Sequence, residues 1–332
     1  QIGSGHIRRM AILARHMRTH QYRVTLISNI GVTSMFSHLC SAFDTIIEVE
    51  DEAQSLTACA RLDYPVSAVF FDDYMLEATD HEAYRAFAPV MAGIDDMANR
   101  PLDWDLLFDI NLGRSREDYT NYINLNTDAF FGADYQIIKQ EFYDLQQKSF
   151  ARNRSRLNRV FISLGGTDPL DLTTPILETV YNKLTNCQID VVAGSPSPNF
   201  SSLQRFAATL GARVTLHADA QNVPQLMFGA DLAIGAGGTM TWERNALGLP
   251  SVILIIANNQ KQVGNAMQDA DAAIVIDARN MYCSSALETA LEQISTSPEL
   301  LTRLSHNARN LGGTNGAKNI AKCLDRKIRG IT

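Results

Sequence analysis

The chain has 332 residues, 45% of them hydrophobic and 20% charged, with a formal net charge of −7. That length exceeds one ordinary core and fits two domains of roughly 150 residues, and the composition gives no case for disorder. The acidic balance offers no field to draw a nucleic-acid backbone or an anionic membrane, so any bound phosphate has to be held locally, by loops and helix ends.

Cys40, Cys59, Cys187, Cys283 and Cys323 show no C-x-x-C or Cys/His ligand spacing. They read as reduced, mostly buried thiols, and neither a metal site nor a cofactor is expected. No stretch reaches the apolar length of a membrane span, and the start has no basic-then-apolar signal pattern. The expected compartment is the cytoplasm, without stable membrane association. The oligomeric state stays open, a monomer being sufficient.

The opening Gly3-Ser4-Gly5-His6 is a turn of the kind that follows a buried strand, so a first strand ahead of it is expected to be missing. Ile7, Met10, Ala11, Ala14 and Met17 then recur at helical spacing to about His20. The glycines let backbone approach a ligand, and the helix start turns its N–H groups toward it. His6 stands beside those donors, where it serves either as a general base or merely as a hydrogen-bonding or capping group; the spacing does not separate the two.

Residues 23–28 read as a strand. The run 66–71 is continuous and apolar and ends in Asp72-Asp73-Tyr74, as a buried parallel strand does at its cleft-facing end. Residues 90–94, ending in Asp95-Asp96, and 104–108, ending in Asp109, repeat the form. All three carboxylates are expected on the cleft side of the first sheet.

The polar stretch 146–158, with Lys148, Arg152, Arg154 and Arg156, reads as a solvated linker and sets the domain boundary near 150/151. Strands follow near 159–164, 188–193, 213–216, 231–235, 251–256 and 273–276, alternating with helices, so the fold class is α/β with two Rossmann-like domains and a ligand cleft. Gly165-Gly166 is either a second anion-binding turn or a plain connection capped by Asp168 or Asp171. Residues 284–327 are helical, broken at Ser297-Pro298 and at 311–315.

The segment Asp231-Leu-Ala-Ile-Gly235-Ala-Gly237-Gly238-Thr239-Met-Thr241-Trp242-Glu243-Arg244 reads as strand, glycine turn and helix, followed by a second strand that ends in Asn258-Asn259-Gln260. Gly237, Gly238 and Thr239 can set backbone donors against a diphosphate. Glu243 lacks the spacing of a capping box. It either accepts from a vicinal diol such as a ribose or is a surface acid paired with an arginine.

These segments, with Ile2-Gly-Ser-Gly-His-Ile-Arg-Arg9, Phe71-Asp72-Asp73-Tyr74, Ala98-Asn-Arg-Pro101 and Ser163-Leu-Gly-Gly-Thr-Asp-Pro169, resemble the UDP-sugar hydrolases of bacterial pseudaminic acid biosynthesis, relatives of the MurG-type glycosyltransferases with the GT-B architecture. The resemblance runs nearly end to end. It implies a metal-free hydrolysis of a UDP-2,4-diacetamido-2,4,6-trideoxy sugar, with His6 as general base for water and Tyr74 beside the substrate. The matched positions nominate Gly3, Gly5, Arg9, Asn99, Arg100, Gly165, Gly166, Gly237, Gly238, Thr239, Glu243, Asn258 and Asn259 as substrate contacts.

Asp73 departs from the histidine of the family's Asp-His-Tyr, and Trp104 from a small or polar residue; both are expected near the sugar. The alternatives are a MurG-like glycosyltransferase and a non-catalytic nucleotide-sugar-binding protein. A transferase for lipid-linked acceptors is expected to expose an apolar patch with basic residues in the first domain, and no such segment is read between Met35 and Arg100.

Overall fold

The computed structural model describes residues 4–166, 168–195 and 197–330, without the side chain of Ser4. The chain divides into two compact units, Gln1–Lys139 with Thr314–Thr332, and Gln140–Gly313. Gly3 and the strand expected before it lie outside the described residues.

The first unit runs α1 (Ser4–Thr19), β1 (Thr25–Asn29), α2 (Val32–Met35), β2 (Thr45–Val49), α3 (Glu52–Ala60), β3 (Ala68–Phe71), α4 (Ala78–Tyr84), β4 (Val90–Ile94), β5 (Leu106–Asp109) and β6 (Asp128–Phe131). Strands β3-β4-β5-β6 form one parallel sheet in that order, and β1 pairs with β2 in a separate parallel pair. Strand β4 is buried along its whole length, as a strand covered on both faces must be. Its alternation sorts the cores: Ala92 and Ile94 join Leu106, Phe108 and Leu13 on one face, while Met91 joins Leu107, Phe71 and Trp104 on the other.

The second unit runs α5 (Gln140–Phe150), β7 (Arg159–Ser163), α6 (Thr173–Lys183), β8 (Gln188–Ala193), α7 (Phe200–Thr209), β9 (Val214–Ala218), α8 (Val223–Gly229), β10 (Leu232–Ala236), α9 (Met240–Ala246), β11 (Ser251–Ile255), α10 (Lys261–Asp269), β12 (Ala273–Asp277), α11 (Ser284–Thr296) and α12 (Pro298–Asn310). Its six strands are parallel in the order β12-β11-β10-β7-β8-β9. The chain therefore works outward from β7 to one side and resumes on the other, which makes the β7/β10 seam a topological switch point.

The boundary and the linker depart from expectation. Helix α5 packs on α8 and α9, so the second unit begins before residue 150. Arg154 is buried and donates to the carbonyls of Ser149, Gly248 and Ala230 and to the Ser149 hydroxyl, and Arg152 pairs with Asp231 at 2.9 Å. Half of the basic cluster is thus internal to the second unit, and only Lys148 and Arg156 are exposed. The last helix, α13 (Gly316–Ile328), belongs to the first unit. Its Ala317, Ile320, Ala321 and Leu324 form one apolar face that shares a core with Leu13 of α1 and Ile94 of β4.

Trp104 is core: 2% exposed, stacked on Phe71 with ring centroids 5.9 Å apart. His81 of α4 packs on the same two rings, and neither of its nitrogens has a hydrogen-bond partner among the described residues. Burial, with Arg100 adding to it, pushes the His81 imidazole down from 6.5 to about 4. The folded chain thus holds the ring neutral where the unfolded chain takes up a proton, so its contribution to stability is full above pH 6.5 and is lost as pH falls toward 4. Asp109 runs the other way: burial raises its carboxyl from 3.8 to about 7, so its contribution fades as pH rises through that range. In His81→Phe the Asp109 effect is retained and cancels in the comparison. The stability of the variant relative to the unsubstituted chain is expected to rise by about 2 to 3 kcal/mol between about pH 7 and about pH 4.5, measured by urea unfolding.

Candidate functional site

In the first unit the polar cluster is assembled by the start of α1 and the carboxyl ends of β3 and β4. His6 and Arg9 are three residues apart on one helix face. Both reach Asp72, the residue after β3: His6 Nδ1 lies 2.7 Å from Asp72 Oδ1, Arg9 Nε donates to Oδ2 at 2.7 Å, and Arg9 Nη2 donates to Oδ1. The Asp72 side chain is only 5% exposed. Burial opposes its ionisation, but the hydrogen bonds from Arg9 and His6 outweigh that penalty and hold the carboxyl below its usual range.

The tautomer of His6 follows. Arg9 Nη2 also approaches Nδ1, at 3.2 Å, but a carboxylate has no proton to give, so the shorter Asp72 contact requires the hydrogen on Nδ1. Nε2 keeps its lone pair. Tyr74 stands edge-on to the imidazole with centroids 4.8 Å apart and donates to Asp96 at 3.0 Å. Burial, then Asp96, pushes its phenol up to about 12, so it remains a donor and a ring wall and is not a base at neutral pH.

Of the other first-unit candidates, Gly5 borders open space and Asn99 is exposed. Arg100 is not available to a ligand. It is buried, pairs with Asp95 at 2.6 Å and donates to the carbonyls of Leu76 and Asp73, locking together the loops after β3 and β4. Asp73 accepts from the amides of Met75 and Leu76. Asp72, Asp95 and Asp109 all stand at the carboxyl edge, but Asp95 and Asp109 are buried and converge on the Tyr119 hydroxyl at 2.9 and 2.8 Å. A neutral Asp109 can donate to the tyrosine oxygen while Tyr119 donates to Asp95. These two are scaffold.

In the second unit, Gly165-Gly166, Gly237-Gly238-Thr239 and Asn258-Asn259 leave the carboxyl ends of β7, β10 and β11, three neighbouring strands. Gly165 has φ +93, a conformation that favours glycine. Gly238 and Thr239 donate no backbone hydrogen bond to the described residues and are partly or fully exposed. Glu243 is half-buried in the first turn of α9. Asn258 accepts from Arg279 at 2.8 Å, and Asn259 is exposed. Asp168 caps α6 through the amides of Leu172 and Thr173, which is the structural role left open for it. Among the described residues no cluster of His, Cys, Asp or Glu is placed to hold a metal ion, and no helix is long and apolar enough to cross a membrane.

Sequence reasoning did not find Asp72 as the partner of His6, nor Asp96 as the partner of Tyr74. The available signal was His6 and Arg9 at a three-residue spacing opposite a strand ending in a carboxylate.

No protein-family profile matches the chain. Among curated relatives, it is 29% identical over 133 residues to an uncharacterized protein of Methanocaldococcus jannaschii, covering 38% of this chain and 26% of that one. It is 24% identical over 192 residues to the spore coat polysaccharide biosynthesis protein SpsG of Bacillus subtilis, covering 57% and 56%. The alignments thus span between a quarter and about half of the relatives' lengths. Solved structures match along nearly the whole chain: Acinetobacter baumannii MurG has TM-score 0.66 and 13% identity over 97% of this chain and 96% of that one. Os79 of O. sativa, in complex with UDP, has TM-score 0.66 and 13% identity over 98% of each. The chain has the GT-B fold. A putative UDP-N-acetylglucosamine 2-epimerase from Listeria monocytogenes shares it at TM-score 0.65 and 11% identity, over 98% and 94%.

Within the GT-B frame, the His6–Asp72 contact makes a spectroscopic claim. Nitrogen-15 NMR of the neutral ring is expected to show His6 protonated at Nδ1 alone, and Asp72→Ala is expected to give a mixture of tautomers. A mixture in the unsubstituted chain would refute the assignment.

Proposed function

We propose that the chain hydrolyses a UDP-sugar, with water attacking the anomeric carbon. The observation that carries this reading is the His6–Asp72 pair: a histidine with Nε2 unspent and Nδ1 oriented by a buried carboxylate is built to take a proton from an oxygen nucleophile. His6 Nε2 removes the proton of water as its oxygen bonds to the anomeric carbon. The bond from that carbon to the β-phosphate oxygen breaks, and its electron pair leaves with UDP. The glycine turns after β7 and β10 supply backbone donors to the diphosphate, Glu243 accepts from the ribose diol, and Asn258 and Asn259 complete the nucleotide side. The resemblance in sequence supports a 2,4-diacetamido-2,4,6-trideoxy hexose as the sugar.

One observation favours a sugar transferase instead. Met75 and Met97 are exposed by 80% and 43% and follow β3 and β4, so the loops carrying Tyr74 and Asp96 do present apolar side chains that the sequence pattern did not suggest. An apolar acceptor could rest there, with its hydroxyl in place of water. Incubation with UDP-sugars and no acceptor separates the two: steady UDP release supports hydrolysis, and release only on adding an acceptor supports transfer.

His6→Gln is expected to lower turnover by about 10² to 10⁴ with little change in UDP affinity. Glu243→Ala should weaken UDP binding by about 1.5 to 3 kcal/mol in calorimetry, the worth of hydrogen bonds to a charged group. In oxygen-18 water the label belongs in the free sugar; label on the β-phosphate means attack at phosphorus and removes His6 from its role.

A further inference from the structure

In the second unit the guanidinium of Arg244 is poorly compensated. It is 1% exposed. Nη2 donates to the Ala236 carbonyl at 3.0 Å and the Thr241 hydroxyl at 2.8 Å, both neutral, and Nε has no acceptor among the described residues. The negative charge bearing on it is that of its chain neighbour Glu243. An isolated charge in the interior is expensive unless something compensates it.

Its position is specific. A Cβ on Gly235 would fall 2.5 Å from Arg244 Nη1 and 2.5 Å from the Ser163 carbonyl, so only glycine there lets the cation lie against the strand. Gly235 pairs with Ser163 across β10 and β7. The guanidinium therefore sits at the switch-point seam, from which both Leu164-Gly165-Gly166 and Gly237-Gly238-Thr239 depart. Its acceptors, Ala236 and Thr241, bracket the second of those turns.

We propose that Arg244 is a positioning residue and the built-in counter-charge of the diphosphate, acting from beneath the glycine turns without touching the ligand. The inference rests on the nucleotide reading and adds the source of its anion preference. Turn amides alone bind an anion through partial charges; a permanent cation in low dielectric behind them acts at longer range and is poorly screened by salt. The anion in turn lowers the cost of the buried charge.

The test is calorimetry on the full chain with UDP, uridine and inorganic pyrophosphate. Arg244→Gln is expected to weaken UDP and pyrophosphate by about tenfold or more and to leave uridine unchanged, while Arg244→Lys, which keeps the charge, stays within about threefold of the unsubstituted chain. Equal weakening of UDP and uridine in Arg244→Gln, unchanged UDP affinity, or an Arg244→Lys loss as large as that of Arg244→Gln overturns the proposal. Should Arg244→Gln not fold, Arg244→Met carries the same comparison; a chain that folds only with a cation at position 244 overturns it as well, because the charge then serves the fold. If the unsubstituted chain binds pyrophosphate and not UDP, the nucleotide reading fails while the pyrophosphate arm still decides Arg244. If it binds neither, both fail.

Discussion

Parallel strand pairing is the constraint from which the rest follows. In a parallel sheet every strand enters at one edge and leaves at the other, so the loops that interrupt the apolar runs collect at the carboxyl edge whatever their order in the chain. Asp72, Asp95 and Asp109 are 37 residues apart in sequence at their extremes and neighbours on one edge of the first unit's sheet. Gly165 and Gly237 are 72 residues apart in sequence and depart from adjacent strands in the second. Polar side chains and glycine turns in both units are therefore concentrated without any local sequence motif having to contain all of them.

That concentration explains what could be read from the sequence. Strands β4 and β8 were legible to the residue: β4 is apolar over its length and stops at two aspartates, and in β8 the run Val-Val-Ala stops at a glycine, although Gln188 and Asp190 interrupt its apolar pattern. Strand β2 was missed: Thr45–Val49 lies in a two-stranded pair with most of its residues half-buried, so its period is weak. Strand β6, Asp128–Phe131, is four residues at a sheet edge with an exposed start, too short for a periodic signal. The glycine turns and His6 were legible because glycine before a helix is a local signature. The partners of His6 and Tyr74 were not, since Asp72 and Asp96 meet them only through tertiary packing, 66 and 22 residues away.

Arg100 shows why residue type at a matched position is weak evidence of contact with a ligand. An arginine beside a turn near a pocket has the chemistry of a phosphate or sugar ligand, and sequence cannot reveal that its donors are already spent. Here they close on Asp95 and on the carbonyls of Leu76 and Asp73. The consequence is mechanical: the loop carrying Tyr74 is pinned to the loop carrying Asp96, which keeps the Tyr74–Asp96 hydrogen bond in place.

Two buried arginines of the second unit differ in unspent bonding capacity and not in burial or charge. Arg154 and Arg244 are both buried, and burial lowers both to about 10. Arg154 distributes its donors among three carbonyls and a hydroxyl, as a structural arginine should. Arg244 leaves one nitrogen without an acceptor among the described residues, a loss of about 1 to 3 kcal/mol that a chain optimised for stability alone would be expected to remove. His6 Nε2 and the amides of Gly238 and Thr239 share that property in more accessible positions. Each retains a bond that no described residue completes, and each stands at a carboxyl edge.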